Sequence, residues 1–429
     1  MVTTGRFFIS GVIAVIATLP IIAISMPQQM TVYGVVLTAI IGLTALGHRS
    51  DWGFNTRRLF DPLLIGLLVF LGYAAITTLW SVDEGQTIQR SFRLTWLVVL
   101  GYFGIHCSTH IALRNSKLAW VVAASVLILF GLIVIELFTG ILAGSVWRDA
   151  PERTRDNLLN RPAMILCLAI WPALLVLWYR RFRGFTIFLG LSLPVALFFT
   201  SSVGAFLAAA IGSLVWAIAF FHARLCAWLI GGAFAVATMA APFLALNVPL
   251  INSGIAFFAN YGSISGAHRL AIWHFVATMI KERSLFGWGL DSARNIPHAD
   301  LPLASVPSLS KVLVLEYPTI ANLPASQALP LHPHNAGLQI TLETGAVGAA
   351  IFCVLVLFLA LRLTAEQNRA KAPFALASLA SWLVITGLNV GIWQSWWLMS
   401  SIVTMFFYSL SLRSDDTKKT KFFTRNENL

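Results

Sequence analysis

Apolar residues arrive in runs along this chain, and the runs repeat from one end to the other. A bilayer core takes about 20 mostly apolar residues per helix, with a working range of roughly 17 to 25. By that measure the pattern predicts twelve spans, at 7–25, 29–46, 62–80, 92–107, 119–140, 161–179, 185–200, 203–221, 225–245, 336–361, 373–390 and 395–412. The second, fourth and seventh are short. The first follows Arg6 and has the look of a secretory leader, but it lacks a small-residue cleavage site and eleven spans follow it, so it is read as retained. The apolar segments are continuous rather than alternating, which argues against a transmembrane β-barrel. The fold class expected is an all-α polytopic membrane protein, with about twelve transmembrane helices and one large periplasmic loop that contains helices.

The pattern changes once, between 246 and 335. Its first half has helical periodicity over Ile264 to Glu282, with Leu270, Trp273, Val276, Ala277 and Ile280 on one face. Its second half, Asn295 to Pro333, holds seven prolines and reads as irregular chain over the membrane surface. A long Pro-rich connection of this kind is more often a lid or binding element than a spacer. The organisation expected is residues 1–245 as nine spans, 246–335 as the loop, 336–412 as three further spans and 413–429 as a cytoplasmic tail. No internal repeat is visible, so an inverted-repeat transporter gains no support.

Composition agrees with the pattern. Of 429 residues, 58% are hydrophobic and 11% charged, against about 25% charged in soluble domains. A soluble enzyme, a disordered chain and a disulfide scaffold are excluded. Cys107, Cys167, Cys226 and Cys353 lie in or beside spans, without metal spacing, and read as packing residues. The net charge of +12 comes from 29 Lys and Arg against 17 Asp and Glu, an excess that elsewhere suggests nucleic acid. Sorting the cations by loop gives another answer. With both termini inside, eighteen of them fall on the cytoplasmic side, among them Arg49, Arg57, Arg58, Arg114, Lys117, Arg180, Arg181, Arg183, Arg224, Arg362, Arg369 and Lys371. Lys311 and four other cations of the long loop lie on the other side.

The chemistry expected at the outer face begins with His332-Pro333-His334-Asn335. Pro333 holds His332 extended, and Asn335 suits the N-cap of the next helix. Both imidazoles would then stand beside a helix N-terminus, which favours an anion. Histidine is the side chain best suited to moving a proton near neutral pH. Two interfacial histidines in a polar loop are the plainer reading, and His-x-His without a third ligand is weak evidence for metal. Arg161, Arg90, Arg93 and Arg269 sit where the topology rule disfavours arginine. Headgroup snorkelling explains any one of them. As a set they point to a phosphate or diphosphate, which guanidinium binds bidentately. Glu343 and Glu136 are carboxylates within apolar spans, a costly placement, and Glu343 is positioned to pair with an arginine or orient a histidine.

These residues resemble the signature of the bacterial O-antigen ligases: His334-Asn335, nine residues, then Gly345-Ala-Val-Gly348. An Arg-Leu-x-x-Trp helix (Arg269, Leu270, Trp273) and a Phe-Gly-x-Gly turn (Phe286, Gly287, Gly289) match as well. Related O-antigen polymerases and protein O-oligosaccharyltransferases share much of this layout. Many relatives carry Ser-Arg-Gly at the outer start of a middle span, where this chain has Ser202-Val203-Gly204. The resemblance implies a glycosyltransferase in a Gram-negative inner membrane, its active site periplasmic. It would pass O-antigen from undecaprenyl diphosphate to a sugar hydroxyl of lipid A–core, inverting and without metal or cofactor. His334 would activate the acceptor while Arg269 and Arg161 hold the diphosphate. His332, Asn335, Arg93, Arg90, Trp273 and Glu343 would support substrate binding. The partners are the two lipid-linked glycans and membrane lipids, with no nucleic acid. A lipid-linked glycan transporter is the alternative from another class, and would want charge through the depth of the bundle.

Overall fold

A computed structural model of the chain describes residues 2–47, 61–112, 115–141, 157–261, 264–306 and 327–411. Arg49, Arg57, Arg58, Arg114, Lys311, the middle of the Pro-rich stretch and the 413–429 tail lie outside the described residues. The described chain is mainly helical: α1 (Val2–Ala17), α2 (Leu19–Ser25), α3 (Met30–Leu46), α4 (Pro62–Ile76), α5 (Glu84–Ala112), α6 (Lys117–Thr139), α7 (Asn160–Tyr179), α8 (Arg183–Phe198), α9 (Val203–Leu246), α10 (Val248–Asn260), α11 (Ile264–Glu282), α12 (Ala336–Leu363), α13 (Ala372–Leu388) and α14 (Ser395–Ser411).

Among the described residues, eight helical segments are long and apolar enough to cross a membrane. This is a multi-pass membrane protein. Every predicted span falls on helix, although α8, α13 and α14 are shorter than that measure. Predicted spans 203–221 and 225–245 form one 44-residue element, α9, interrupted at His222 (φ −132°, ψ 46°). At 1.5 Å per residue an unbroken helix of that length is about 66 Å, twice the hydrocarbon thickness. The chain instead folds back. Near its start, Gly204 abuts Asn389 at the end of α13, and near its finish Thr238 abuts Gly337 at the start of α12. Both ends of α9 therefore lie at the same end of the bundle.

Helix α7 is the central post, with 89% of its apolar window buried against 22% for Pro62–Trp80. Trp171, Trp397, Phe374, Phe406 and Phe407 fill the space around it. All four cysteines are buried free thiols. Glu136 is buried in α6.

The non-spanning segment differs in one respect from expectation. Residues 248–260, to which the sequence pattern assigns no element, form α10. Asn247 caps it through a bond from Leu250 N–H, and Pro249 opens its first turn. The predicted helix over 264–282 is α11, and Ile272, Val276 and Ile280 bury its inner face.

Helix α12 carries the main irregularity. Gly345 breaks it at φ 66°, ψ −173°, a region essentially restricted to glycine. A break in an apolar medium leaves backbone groups that no water can satisfy. Residues 284–289 supply the partners. Trp288 N–H donates to Leu342 O (2.9 Å), Gly289 N–H to Glu343 O (2.9 Å), and Ala346 N–H to Ser284 O (2.9 Å). Tyr73 donates its hydroxyl to Thr344 O at 2.8 Å. Gly287 and Gly289 also take positive φ, and a Cβ on Gly287 would strike the Glu343 carbonyl. The two glycine motifs noted in the sequence are thus the two halves of one splice.

Gly345→Ala forces a Cβ into the Leu285 carbonyl and costs about 1–3 kcal/mol for the backbone region alone. We expect a lowered thermal midpoint in detergent. Gly131→Ala in α6, where nothing lies within 4 Å of an added Cβ, should leave the midpoint unchanged or raise it.

Candidate functional site

The splice delivers α11 to the start of α12, and the candidate site forms there. Asn335 is the N-cap, its Oδ1 accepting from Leu338 N–H at 3.0 Å. His334 sits in the left-handed region (φ 54°), uncommon for a non-glycine residue and worth a functional explanation. That turn aims its ring at α13's end, where Nδ1 lies 2.8 Å from Asn389 O. A carbonyl only accepts, so Nδ1 carries the proton and Nε2 keeps its lone pair.

His332 lies beneath, buried, its ring centroid 4.2 Å from that of His334. Its Nδ1 accepts from His334 N–H at 3.2 Å, and its Nε2 lies 3.0 Å from the Gln394 amide nitrogen. Because Nδ1 accepts from a backbone N–H, it cannot take a second proton without losing that bond. Gly391 leaves the room it needs, since a Cβ there would meet the His332 ring at 2.9 Å. Burial pushes His332 down to about 3, assisted by His334, Arg294 and Arg269. Burial likewise pushes His334 down to about 4, with Arg269 adding to it and the Asn389 bond opposing. Both rings are neutral at ambient pH.

From α11, Trp273 donates Nε1–H to Pro333 O at 2.8 Å and pins the strand that carries the histidines. Arg269, one turn earlier, donates to Leu388 O at 2.6 Å. Burial works against its charge, yet among the described residues no carboxylate pairs with it. Arg294, a residue the sequence did not single out for the site, is exposed and close enough to act on His332. Arg161 reaches the same end of the bundle from α7. Its guanidinium lies 5.8 Å over Trp396, meets the Gln28 side chain, and is linked onward by Trp396 Nε1–H donating to Gln394 Oε1 at 2.9 Å.

Other expected site residues stand apart. Arg90 is committed internally, bridging to Asp291 at 2.7 Å and donating to Trp393 O at 2.9 Å. Arg93, one turn on in α5, is exposed. Glu343 is fully buried and takes its bonds from Gln339, Trp393 and the Asp291 backbone, not from an arginine or a histidine. In Ser202-Val203-Gly204, Val203 is exposed and Gly204 faces the Asn389 side chain. Asn389, Gly391 and Gln394 belong to a turn between two spans, with no spacing signal to mark them. No three His, Cys, Asp or Glu side chains among the described residues converge as a metal site requires.

The loops at the far end hold further cations: Arg180 over Trp120, Arg183 over Trp178, and Arg362 paired with Asp61. Cationic loops and histidine pair occupy opposite ends of the bundle.

Residues 185–353, from α8 through the splice, match the family model described as O-Antigen ligase. Over those residues the chain is similar to that family. It is 25% identical over 355 residues to a Rickettsia felis protein named as a candidate polysaccharide ligase, covering 81% of this chain and 80% of that one. A Rickettsia typhi protein named likewise is 27% identical over 354 residues, with 81% and 80% covered. A Rickettsia conorii protein, also so named, is 28% identical over 258 residues, which span 60% of this chain and 59% of its own length. No solved structure matches.

The neutral histidines carry a pH signature. Their folded values of about 3 and about 4 lie below the unfolded value near 6.5. The unfolded chain therefore binds protons first, and stability falls as pH drops below about 6.5, levelling only below the folded values. Thermal scans from pH 7 to 4 should show this decline, and His332→Asn should flatten it.

Proposed function

We propose that this O-antigen ligase relative transfers a glycan from undecaprenyl diphosphate to a sugar hydroxyl of lipid A–core, at the periplasmic end of a twelve-span bundle. One observation carries the reading. A neutral histidine whose Nε2 keeps its lone pair stands at the same end of the bundle as Arg269 and Arg161, which among the described residues pair with no carboxylate. In the proposed step, His334 Nε2 takes the proton of the acceptor hydroxyl while its oxygen attacks the anomeric carbon. The bond from that carbon to the diphosphate oxygen breaks, and configuration inverts in the single displacement. The leaving diphosphate carries the electron pair away, and Arg269 and Arg161 stabilise its charge, with Arg294 beside them.

A base at about pKa 4 is weak, and general-base catalysis works best with a pKa near ambient pH. Burial is the main cause of the low value, and the Arg269 charge adds to it. A diphosphate among these guanidiniums offsets the Arg269 charge and favours the imidazolium, so the donor raises the basicity of His334. His332 then acts by fixing the left-handed turn of His334, and Trp273 by holding Pro333. Arg93 remains a candidate for contact with the lipid or diphosphate further along the face. The orientation follows from the cationic loops at the far end, which the positive-inside rule assigns to the cytoplasm.

In proteoliposomes with purified donor and lipid A–core, His334→Ala should lower transfer by about 10²–10⁴-fold with its thermal midpoint kept. Arg269→Lys should retain more activity than Arg269→Ala but less than the parent, because lysine keeps the charge and loses the fork. Undiminished transfer by inserted, folded His334→Ala contradicts the proposal.

A further inference from the structure

The turn between α13 and α14, residues 389–394, touches nearly every member of the site. Asn389 O holds His334, Leu388 O just before it holds Arg269, Gly391 abuts His332, and the Gln394 amide meets the other His332 nitrogen. What holds this turn thus decides where the base and the cation stand.

The holder is a buried polar cluster in the first half of α12. Glu343 Oε2 accepts from Trp393 Nε1–H at 2.6 Å and from Asp291 N–H at 2.7 Å. Its Oε1 accepts from Gln339 Nε2–H at 2.9 Å, and Gln339 Oε1 in turn accepts from Ile392 N–H at 3.1 Å. Gln339 and Glu343, one helical turn apart, therefore grip residues 392 and 393 together. Arg90 closes the cluster from behind, bridging to Asp291 and donating to Trp393 O. Phe70 backs the indole at 5.9 Å. Three donors converge on two oxygens, a demand that a carboxylate meets and an amide does not.

We infer that Glu343 is a positioning residue of the transfer centre: through Trp393 and Gln339 it fixes the 389–394 turn, and through that turn the orientation of His334 and Arg269. The assignment rests on the proposed transfer for its kinetic consequence, but its geometric consequence stands without it. Glu343 itself contacts neither histidine.

The hydrogen-bond polarity supplies a strict test. In Glu343→Gln the new amide oxygen can still serve Trp393 and Asp291, but its NH₂ then faces the NH₂ of Gln339. Gln339 cannot turn over without losing Ile392. Adding Gln339→Glu reverses the pair. The carboxylate now at position 339 accepts from Ile392 N–H and from the amide now at position 343, and every bond returns. The exchanged chain has the same composition and charge as the parent.

The full-length parent, E343Q and E343Q/Q339E are compared in proteoliposomes for kcat, for KM of the donor, and for the rate at which diethylpyrocarbonate labels His334, read by peptide mass. For E343Q we expect kcat to fall about tenfold to a hundredfold with KM little changed, and His334 to label several-fold faster. The exchanged pair should recover most of both. Trp393→Phe, which keeps the ring against Phe70 and removes only the N–H, is the second probe should E343Q fold poorly, with the same directions expected. Unchanged kcat and labelling in E343Q and Trp393→Phe overturns the inference. So does an exchanged pair that folds like the parent but remains as impaired as E343Q. If the parent transfers no glycan while labelling still rises in E343Q and returns in the exchanged pair, the transfer reading falls and the positioning role stands.

Discussion

Backbone groups buried in an apolar medium must find partners within the protein, and this requirement organises the molecule around Gly345. The break in α12 exposes carbonyls and N–H groups at 342–347, and the 284–289 turn fills them. The join is more than a repair. It anchors the non-spanning segment to a spanning helix, setting α11 so that Arg269 and Trp273 meet the chain around Pro333 and Leu388. On its other side it places Asp291 between Arg90 and Glu343. Without this splice the arginine helix, the histidine pair and the acidic cluster would have no fixed relation.

Electrostatics at the site follow from who is paired and who is not. Arg90 and Asp291 satisfy each other, and that pair belongs to the scaffold. Arg269 is partly buried, and among the described residues it donates to one carbonyl and pairs with no carboxylate. Partly desolvated guanidinium without a carboxylate is costly, and an anionic ligand offsets that cost. The same burial and the same charge keep both histidines neutral. In the proposed reading the site joins a receptor for an anion to an unprotonated ring, which is what displacement of a diphosphate by a hydroxyl needs.

Much of this was legible in the sequence, and the gaps have physical reasons. Helices in an apolar medium announce themselves by run length, and α11 by its period, so these elements could be read directly. The break at His222 was visible as a polar gap between two spans. Helix α10 was missed because 13 residues fall short of a crossing and its apolar run merges with the preceding span. The His-Asn signature pointed to the right place because Asn335 acts locally, as a cap. Arg90 and Glu343 looked like ligand contacts because an isolated charge in a span is expensive. Gln339 lies one turn from Glu343, but Asp291 and Trp393, which hold Arg90 and Glu343, lie 201 and 50 residues away. Asn389, Gly391 and Gln394 matter through a backbone carbonyl, an absent side chain and an amide, none of which leaves a recognisable pattern. The glycine motifs were conspicuous, but their meaning, a broken helix and the turn that mends it, needed the fold.

We propose that this chain makes a new glycosidic bond between two lipid-linked molecules. The most direct measurement reconstitutes the purified protein with undecaprenyl-diphosphate-linked glycan and lipid A–core, without an ion gradient, and weighs the products. The account predicts lipid A–core heavier by one glycan chain, with undecaprenyl diphosphate released in equal amount. Donor that crosses the vesicle intact with no new bond, or donor chains that lengthen while lipid A–core stays unmodified, would contradict it.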